Sequence, residues 1–253
     1  RRVVECEQEA EKIPLHTYTK EQMKALKRIG VSDRRIATLT NTRELEVRKY
    51  RKMLGVTPCV FQIDTLAGEF PAKTNYLYMT YNGSHNDVEP LGRRGVALLG
   101  SGPYRIGSSV EFDWTCVQTA LALKEYNRRS IIINCNPETV STDYDMSERL
   151  YFEQLTFERV ADIYEFENPE GIIVSVGGQT PHNLVAQLDQ CDIPILGTQP
   201  ESIDKAEDRS KFSNLCDKLD IKQPEWMRVD SMDGATEFAS RVGYPVLIRP
   251  SYV

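Results

Sequence analysis

Between residues 19 and 54 the apolar positions Met23, Leu26 and Ile29, then Ile36 and Leu39, then Leu45, Val47, Tyr50 and Leu54 recur near every 3.6 residues. That spacing predicts short amphipathic helices, with Gly30, Ser32 and the pair Asn41-Thr42 supplying stops and N-caps between them. After Gly55 the period changes. Residues 58–64 read as a strand, and an aromatic stretch follows at 76–81, Tyr-Leu-Tyr-Met-Thr-Tyr. Residues 82–92 are rich in turn formers and poor in core residues, so a domain boundary is expected there.

From Arg94 onward, unbroken apolar runs alternate with helical patterns. Strands are predicted at 95–99, 130–135, 171–176 and 193–196, with a short one at 150–152; helices are predicted at 109–126, 157–166 and 181–188. Apolar runs without alternation mean strands buried on both faces, as in a mostly parallel sheet covered by helices. The fold class expected is therefore α/β, doubly wound, preceded by a small, mainly helical domain. Two more helices are read at 208–219 and from about 233 to 242. The chain then enters an apolar, strand-like run at Tyr244. Because it opens on Arg1-Arg2 and stops at Val253 inside that run, it is expected to be a piece of a longer polypeptide.

Composition narrows the function classes. The 253 residues carry 31 Lys plus Arg against 37 Asp plus Glu, with 40% hydrophobic and 27% charged residues, ordinary values for a soluble globular chain. No apolar run approaches the roughly 18 residues a membrane helix requires. Charge is unevenly spread: residues 1–56 hold 14 basic and 8 acidic residues, leaving 17 and 29 for the remainder. Only Tyr18 and Tyr50 are aromatic in the basic part, so a solvated helical face is favoured over a nucleic-acid surface, and the acidic remainder would repel a phosphate backbone. The six cysteines form no C-x-x-C pair and no zinc spacing. Cys59, Cys116, Cys135 and Cys191 lie in or beside apolar segments, where small buried thiols are common, and a reducing compartment fits best. His16, His85 and His182 are far apart in sequence and suggest neither a metal site nor a triad.

The chemistry is concentrated where strands meet loops. Leu99-Gly-Ser-Gly-Pro-Tyr-Arg-Ile-Gly-Ser-Ser109 joins a strand to a helix, a place where backbone amides can hold an anion. Gly100, Gly102 and Gly107 miss the dinucleotide spacing, and Ser108 stands where a phosphate-binding loop needs lysine. A strand-to-helix turn with a Ser108–Glu111 capping box is the plain alternative, but it leaves the long cation Arg105 unexplained. The second strand delivers a polar loop containing Asn136, Glu138, Thr139 and Ser141. The fourth ends in Gly177-Gly178-Gln179-Thr180-Pro181, with Thr180 as the expected N-cap and Pro181 at the first helical position. Three such loops on one sheet edge point to a shared site.

The segments GSGPYRIGSSVEFDW (100–114), NCNPETVSTDYD (134–145), VGGQTPHNL (176–184), AEDRSKFS (206–213) and YPVLIRPS (244–251) resemble the carbamoyl-phosphate synthase large-chain family. NCNPETVSTD resembles its second synthetase half, and QIDTLAGEFPAKTNYLYMTY (62–81) the end of its oligomerisation domain. The resemblance implies residues 1–90 as the end of that oligomerisation domain, 93–205 as a pre-ATP-grasp domain and 206–253 as the truncated start of an ATP-grasp domain. It further implies ATP-dependent phosphorylation of carbamate in the intact enzyme, with Mg2+ held by residues beyond Val253 and no metal ligands here. Arg209 and Arg249 match arginines that contact ATP; Arg105, Glu111, Asn136, Glu138 and Gln179 match positioning loops on the carbamate side. Implied partners are the remaining large-chain domains, a glutaminase and further copies of the chain, in the cytoplasm, with no nucleic acid and no membrane. Two other readings stand beside this one: a biotin carboxylase-like ATP-grasp ligase, and a non-catalytic oligomerisation or interaction module. The arginine and pyrimidine pathways are not told apart, and the fragment alone is expected to be inactive.

Overall fold

The computed structural model describes residues 1–105 and 110–249, which divide into two compact units, Arg1–Gly197 and Thr198–Val253. The first unit begins with helices α1 (Arg2–Ala10), α2 (Lys20–Arg28), α3 (Asp33–Leu39) and α4 (Glu44–Met53). Their boundaries follow from local chemistry. The Thr19 hydroxyl accepts the Gln22 N–H while the Gln22 side chain accepts the Thr19 N–H, a reciprocal capping box. Ser32 caps α3. Gly30 turns the chain at φ +92° and Asn41 at φ +51°; Arg43, rather than Thr42, occupies the N-cap position of α4. The periodic apolar residues converge on a core of Leu15, Tyr18, Met23, Leu26, Ile36 and Val47.

Seven strands follow: β1 (Cys59–Gln62), β2 (Tyr76–Thr80), β3 (Gly95–Leu99), β4 (Arg129–Asn134), β5 (Arg149–Phe152), β6 (Ile172–Ile173) and β7 (Ile195–Leu196). They form one sheet in the order β1-β2-β5-β4-β3-β6-β7. Among the described residues only the β1–β2 pair is antiparallel. Every residue of β3 is buried, as a strand covered on both faces requires. Helix α5 (Val110–Glu125) covers one face, its Cys116 and Ala120 packing with Val96, Leu98, Ile132 and Leu150. On the other face, the hydroxyl of Tyr151 in β5 donates to Glu167 Oε1 in α6 (Phe157–Glu167) at 2.5 Å. Because side chains alternate along a strand, Leu150 and Tyr151 mark the two faces.

The chain does not separate at residues 82–92. β1 and β2 extend the edge of the α/β sheet, with Tyr76 opposite Leu150 and Leu77 opposite Tyr151. The 82–92 segment is itself held to β1, since Asn86 Oδ1 accepts the Val60 N–H and the Asp87 N–H donates to the Val60 carbonyl, both at 2.9 Å. The turn-rich segment thus packs on the sheet edge, where a two-stranded ribbon gains stability by joining a larger sheet.

Two helices are shorter than the pattern predicts. In place of one helix at 181–188 stand α7 (Gln179–His182) and α8 (Val185–Asp189). Gly178, at φ +70°, is the N-cap of α7, so Gln179 rather than Pro181 takes the first helical position. The Ser108 end of the expected capping box and the start of the predicted helix at Ser109 lie outside the described residues.

The second unit holds α9 (Pro200–Glu207), α10 (Arg209–Lys218) and α11 (Met232–Val242). Pro200 opens α9, the position where its missing N–H costs nothing, and Ser231 caps α11. Residues 244–249 carry no regular secondary structure.

Candidate functional site

The carboxyl ends of β3, β4 and β6 gather the three polar loops, and the geometry binds them together. Gly177 explains the closest approach: a Cβ there would lie 2.4 Å from the Leu99 carbonyl oxygen and 2.5 Å from that of Gly100. Glycine is therefore required at 177 for one loop to rest on another. Arg105 is exposed and its Nη2 donates to Thr180 Oγ1 at 3.0 Å, joining the first loop to the third. Tyr104 and Thr139 share a hydroxyl–hydroxyl bond of 2.7 Å, joining the first to the second.

Within the second loop, Asn136 and Glu138 are brought together by an Asn136 Oδ1 that accepts the Glu138 N–H at 3.0 Å, leaving the Glu138 side chain exposed. Asn136 also gives its carbonyl to the Thr142 hydroxyl at 3.1 Å. Glu111 lies in the first turn of α5, exposed, and Gln179 is half-buried at the start of α7. Thus Arg105, Asn136, Glu138 and Gln179 occupy loops that touch, with Glu111 on the helix leading away from the first of them.

Two buried polar residues of this edge lie in the segments 100–114 and 134–145 but were given no role from the sequence. Asp113 is 3% exposed on α5, and its carboxylate accepts the Ser141 N–H at 3.2 and 3.3 Å, fixing the second loop to the helix. The clue available was its position on the same helical face as Cys116, Val117 and Ala120, where a lone carboxylate needs a partner. Asn134, the last residue of β4 and the first of the polar NCNPETVSTDYD segment, is 1% exposed.

A cavity of about 380 Å3 is lined by Gly30, Cys135, Phe152, Glu153, Gln154 and Arg159, and meets the second loop at Cys135. Arg159 Nε stands 3.4 Å from Glu153 Oε2, and Glu153 Oε1 accepts the Met79 N–H at 2.7 Å. Burial pushes the Glu153 carboxyl above its ordinary range, against the lowering effect of Arg159 and the Met79 N–H. Cys135 is exposed and not the buried thiol its apolar neighbours implied, because the strand ends one residue before it. Burial of the thiol nevertheless raises its pKa. Cys116 is fully buried, and burial, followed by the nearby Asp113, pushes its thiol to about 12. Cys216, in α10, is buried as well.

The remaining two arginines belong to the second unit. Arg209 is half-buried at the first position of α10. The N-cap Asp208 accepts the Lys211 N–H at 2.9 Å, so the helix end already holds a carboxylate. Arg249 is exposed in the stretch without regular structure. Among the described residues no group of three His, Cys, Asp or Glu could hold a metal ion. No described helix is long and apolar enough to cross a membrane.

Comparison with known proteins matches residues 1–55 to the carbamoyl-phosphate synthetase large chain oligomerisation domain, 92–205 to the carbamoyl phosphate synthase preATP-grasp domain and 208–253 to the carbamoyl-phosphate synthase L chain ATP binding domain. The unmatched residues between the first two include the β1–β2 hairpin. The chain is 52% identical over 251 residues to the carbamoyl phosphate synthase arginine-specific large chain of Cutaneotrichosporon cutaneum, covering 99% of this chain and 21% of that protein. It is 52% identical over 240 residues to the multifunctional protein URA2 of Saccharomyces cerevisiae, covering 93% and 11%. With the mitochondrial arginine-specific large chain of Schizosaccharomyces pombe it shares 53% over 239 residues, covering 94% and 20%. The chain therefore spans between a tenth and about a fifth of these relatives. Three consecutive domain matches in one order, together with identities of 52–53% over nearly the whole chain, mean that the chain belongs to the carbamoyl-phosphate synthase large-chain family.

Proposed function

We propose that this chain is part of the second synthetase half of a carbamoyl-phosphate synthase and that in the whole protein it serves ATP-dependent phosphorylation of carbamate. The observation that carries this reading is the joining of the three loops by Arg105–Thr180 and Tyr104–Thr139 hydrogen bonds, in a chain whose later residues match an ATP-binding domain. Joined loops present fixed donors and acceptors to a small planar anion, and orientation of reactants supplies much of a phosphoryl-transfer enzyme's advantage.

In this reading Arg105, Glu111, Asn136, Glu138 and Gln179 border the carbamate side and orient it. Arg209 and Arg249 bind phosphate oxygens of ATP, their guanidinium groups steadying charge as it shifts in transfer. Mg2+, held by residues outside the described ones, would neutralise the phosphates when bound. The glutaminase, the other large-chain domains and further copies of the chain are its partners. Compartment is set by the whole protein, since one relative is named mitochondrial. The fragment alone is inactive.

The test is Arg209→Ala in the full-length enzyme. A hydrogen bond to a charged group contributes roughly 1.5 to 3 kcal/mol, so ATP formation from carbamoyl phosphate and ADP should slow about 10- to 100-fold. Bicarbonate-dependent ATP hydrolysis in the other half should persist. Unchanged rates in both reactions would refute the ATP role of Arg209.

A further inference from the structure

The side chain of Asn134 is oriented without ambiguity. Its Oδ1 accepts the N–H of Gly102 at 3.1 Å and that of Asn136 at 3.4 Å. Both neighbours are donors, so the amide oxygen must face them and Nδ2 must turn away. One acceptor atom thus ties the backbone of the Arg105 loop to the backbone of the Glu138 loop at the end of β4.

Its surroundings are fitted to that arrangement. A Cβ at Gly100 would lie 2.6 Å from both Cγ and Nδ2 of Asn134, so Gly100 is glycine because the amide occupies the space. Nδ2 is buried with no hydrogen-bond partner among the described residues. An unspent buried donor is costly, and aspartate would supply the same two acceptor bonds without it. Aspartate would also put a negative charge at an edge built to receive anions. A neutral acceptor holds both loops without adding to the negative charge that Asp113 and Glu138 already bring to this edge.

We propose that Asn134 is a positioning residue for carbamate phosphorylation: it sets the separation of the loops bearing Arg105 and Glu138 through Oδ1, and its neutrality keeps the crevice open to an anionic substrate. The inference rests on the function proposed above. It is independent of the ATP-contacting arginines.

In the full-length enzyme, Asn134→Ala should lower kcat for ATP synthesis from carbamoyl phosphate and ADP by about tenfold or more, with KM for ADP little changed. Gly100→Ala, which drives the amide from its place while leaving Asn134 in the chain, should reproduce the loss. Asn134→Asp keeps the acceptor and should hold kcat within about threefold while raising KM for carbamoyl phosphate. Bicarbonate-dependent ATP hydrolysis should be unaffected in all three. Wild-type kcat in folded Asn134→Ala or Gly100→Ala would overturn the inference, as would equal loss of both activities with a lowered unfolding temperature, the mark of a purely structural residue. An Asn134→Asp enzyme with unchanged KM would overturn the neutrality argument. If Arg209→Ala is silent while Asn134→Ala is impaired, the positioning role stands and the ATP assignment fails; the reverse pattern removes Asn134 alone.

Discussion

Arg51 in α4 and Asp162 in α6 meet with Nη2 3.2 Å from Oδ1, although 111 residues separate them and neither is more than 6% exposed. Arg51 also binds Asp33 at 2.9 Å, Lys27 bridges Asp33 and Glu158 at 2.9 and 2.7 Å, and Arg48 reaches Asp162 and Glu165. Glu158 further accepts the Asp33 N–H at 2.6 Å and the Tyr81 hydroxyl at 3.2 Å. Burial opposes the charge on Arg51, but Asp162 and Asp33 outweigh it and hold the guanidinium protonated. The positive excess of residues 1–56 is spent, in part, on acidic residues of α6.

Arg51→Met should therefore leave two buried carboxylates short of a partner and cost about 3 to 5 kcal/mol. Urea unfolding followed by far-UV dichroism and by near-UV signals should show one transition for residues 1–197, shifted as a whole. Separate melting of the helices and the sheet would show that the ion pairs do not join them.

Acid should weaken this junction in a defined direction. Burial raises the Asp33 carboxyl, but Lys27 and Arg51 more than offset it, leaving its pKa below the ordinary 3.8. A depressed folded-state pKa stabilises the protein above the unfolded-state value, and the contribution is lost as pH falls through the folded-state value. The stability difference between wild type and Arg51→Met should be full at pH 7 and shrink below about pH 4. A difference independent of pH over that span would exclude Asp33 as its source.

Thiol labelling separates Cys135 from Cys116. The first is exposed; the second is fully buried with a pKa of about 12, and the thiolate is the reactive form. Iodoacetamide at pH 8 should modify Cys135 in the folded protein and spare Cys116 until urea is added. Equal rates would contradict the packing of α5 on the sheet.

Proteolysis tests the boundary. Residues 64–71 are exposed throughout, including Leu66 and Phe70, whereas 82–92 is bonded to β1 and, through the Leu91 N–H, to Glu167. Thermolysin should cut inside the first unit before Leu66 or Phe70 ahead of Val88 or Leu91. First cleavage at Val88 would restore the boundary that composition suggested.

Isothermal calorimetry on the chain itself should find ATP binding weak or absent. Arg249 is exposed in an irregular stretch, and a nucleotide left in contact with water gains little from surface guanidinium groups. Micromolar affinity for residues 1–253 would overturn this expectation.

Strong periodicities were legible without coordinates. The 95–99 strand matches β3 at both ends, and the predicted 157–166 helix falls one residue short of α6. Residues 171–176 and 193–196 yield only two paired residues each, because ladder length depends on neighbours that an apolar run does not specify. The loops with Arg105, Asn136 and Gln179 were found because glycine, asparagine and proline mark strand ends. Asn134 was legible as the start of a polar loop but not as its anchor, and Asp113 was not singled out, because their partners lie 32 and 28 residues away. Charge counts revealed an asymmetry but not its target, since the carboxylates of α6 look like any solvated helix face in one dimension.

The junction between α4 and α6 also sets rules for recombination. Arg48, Arg51 and Lys52 on one side and Glu158, Asp162 and Glu165 on the other act as a lock whose halves sit more than a hundred positions apart. A chimera that took its first 56 residues from a distant relative would bring foreign keys to this lock and strand charge in the interior. Crossovers that transplant both helices together, with Lys27 and Asp33 between the same junctions, would preserve it.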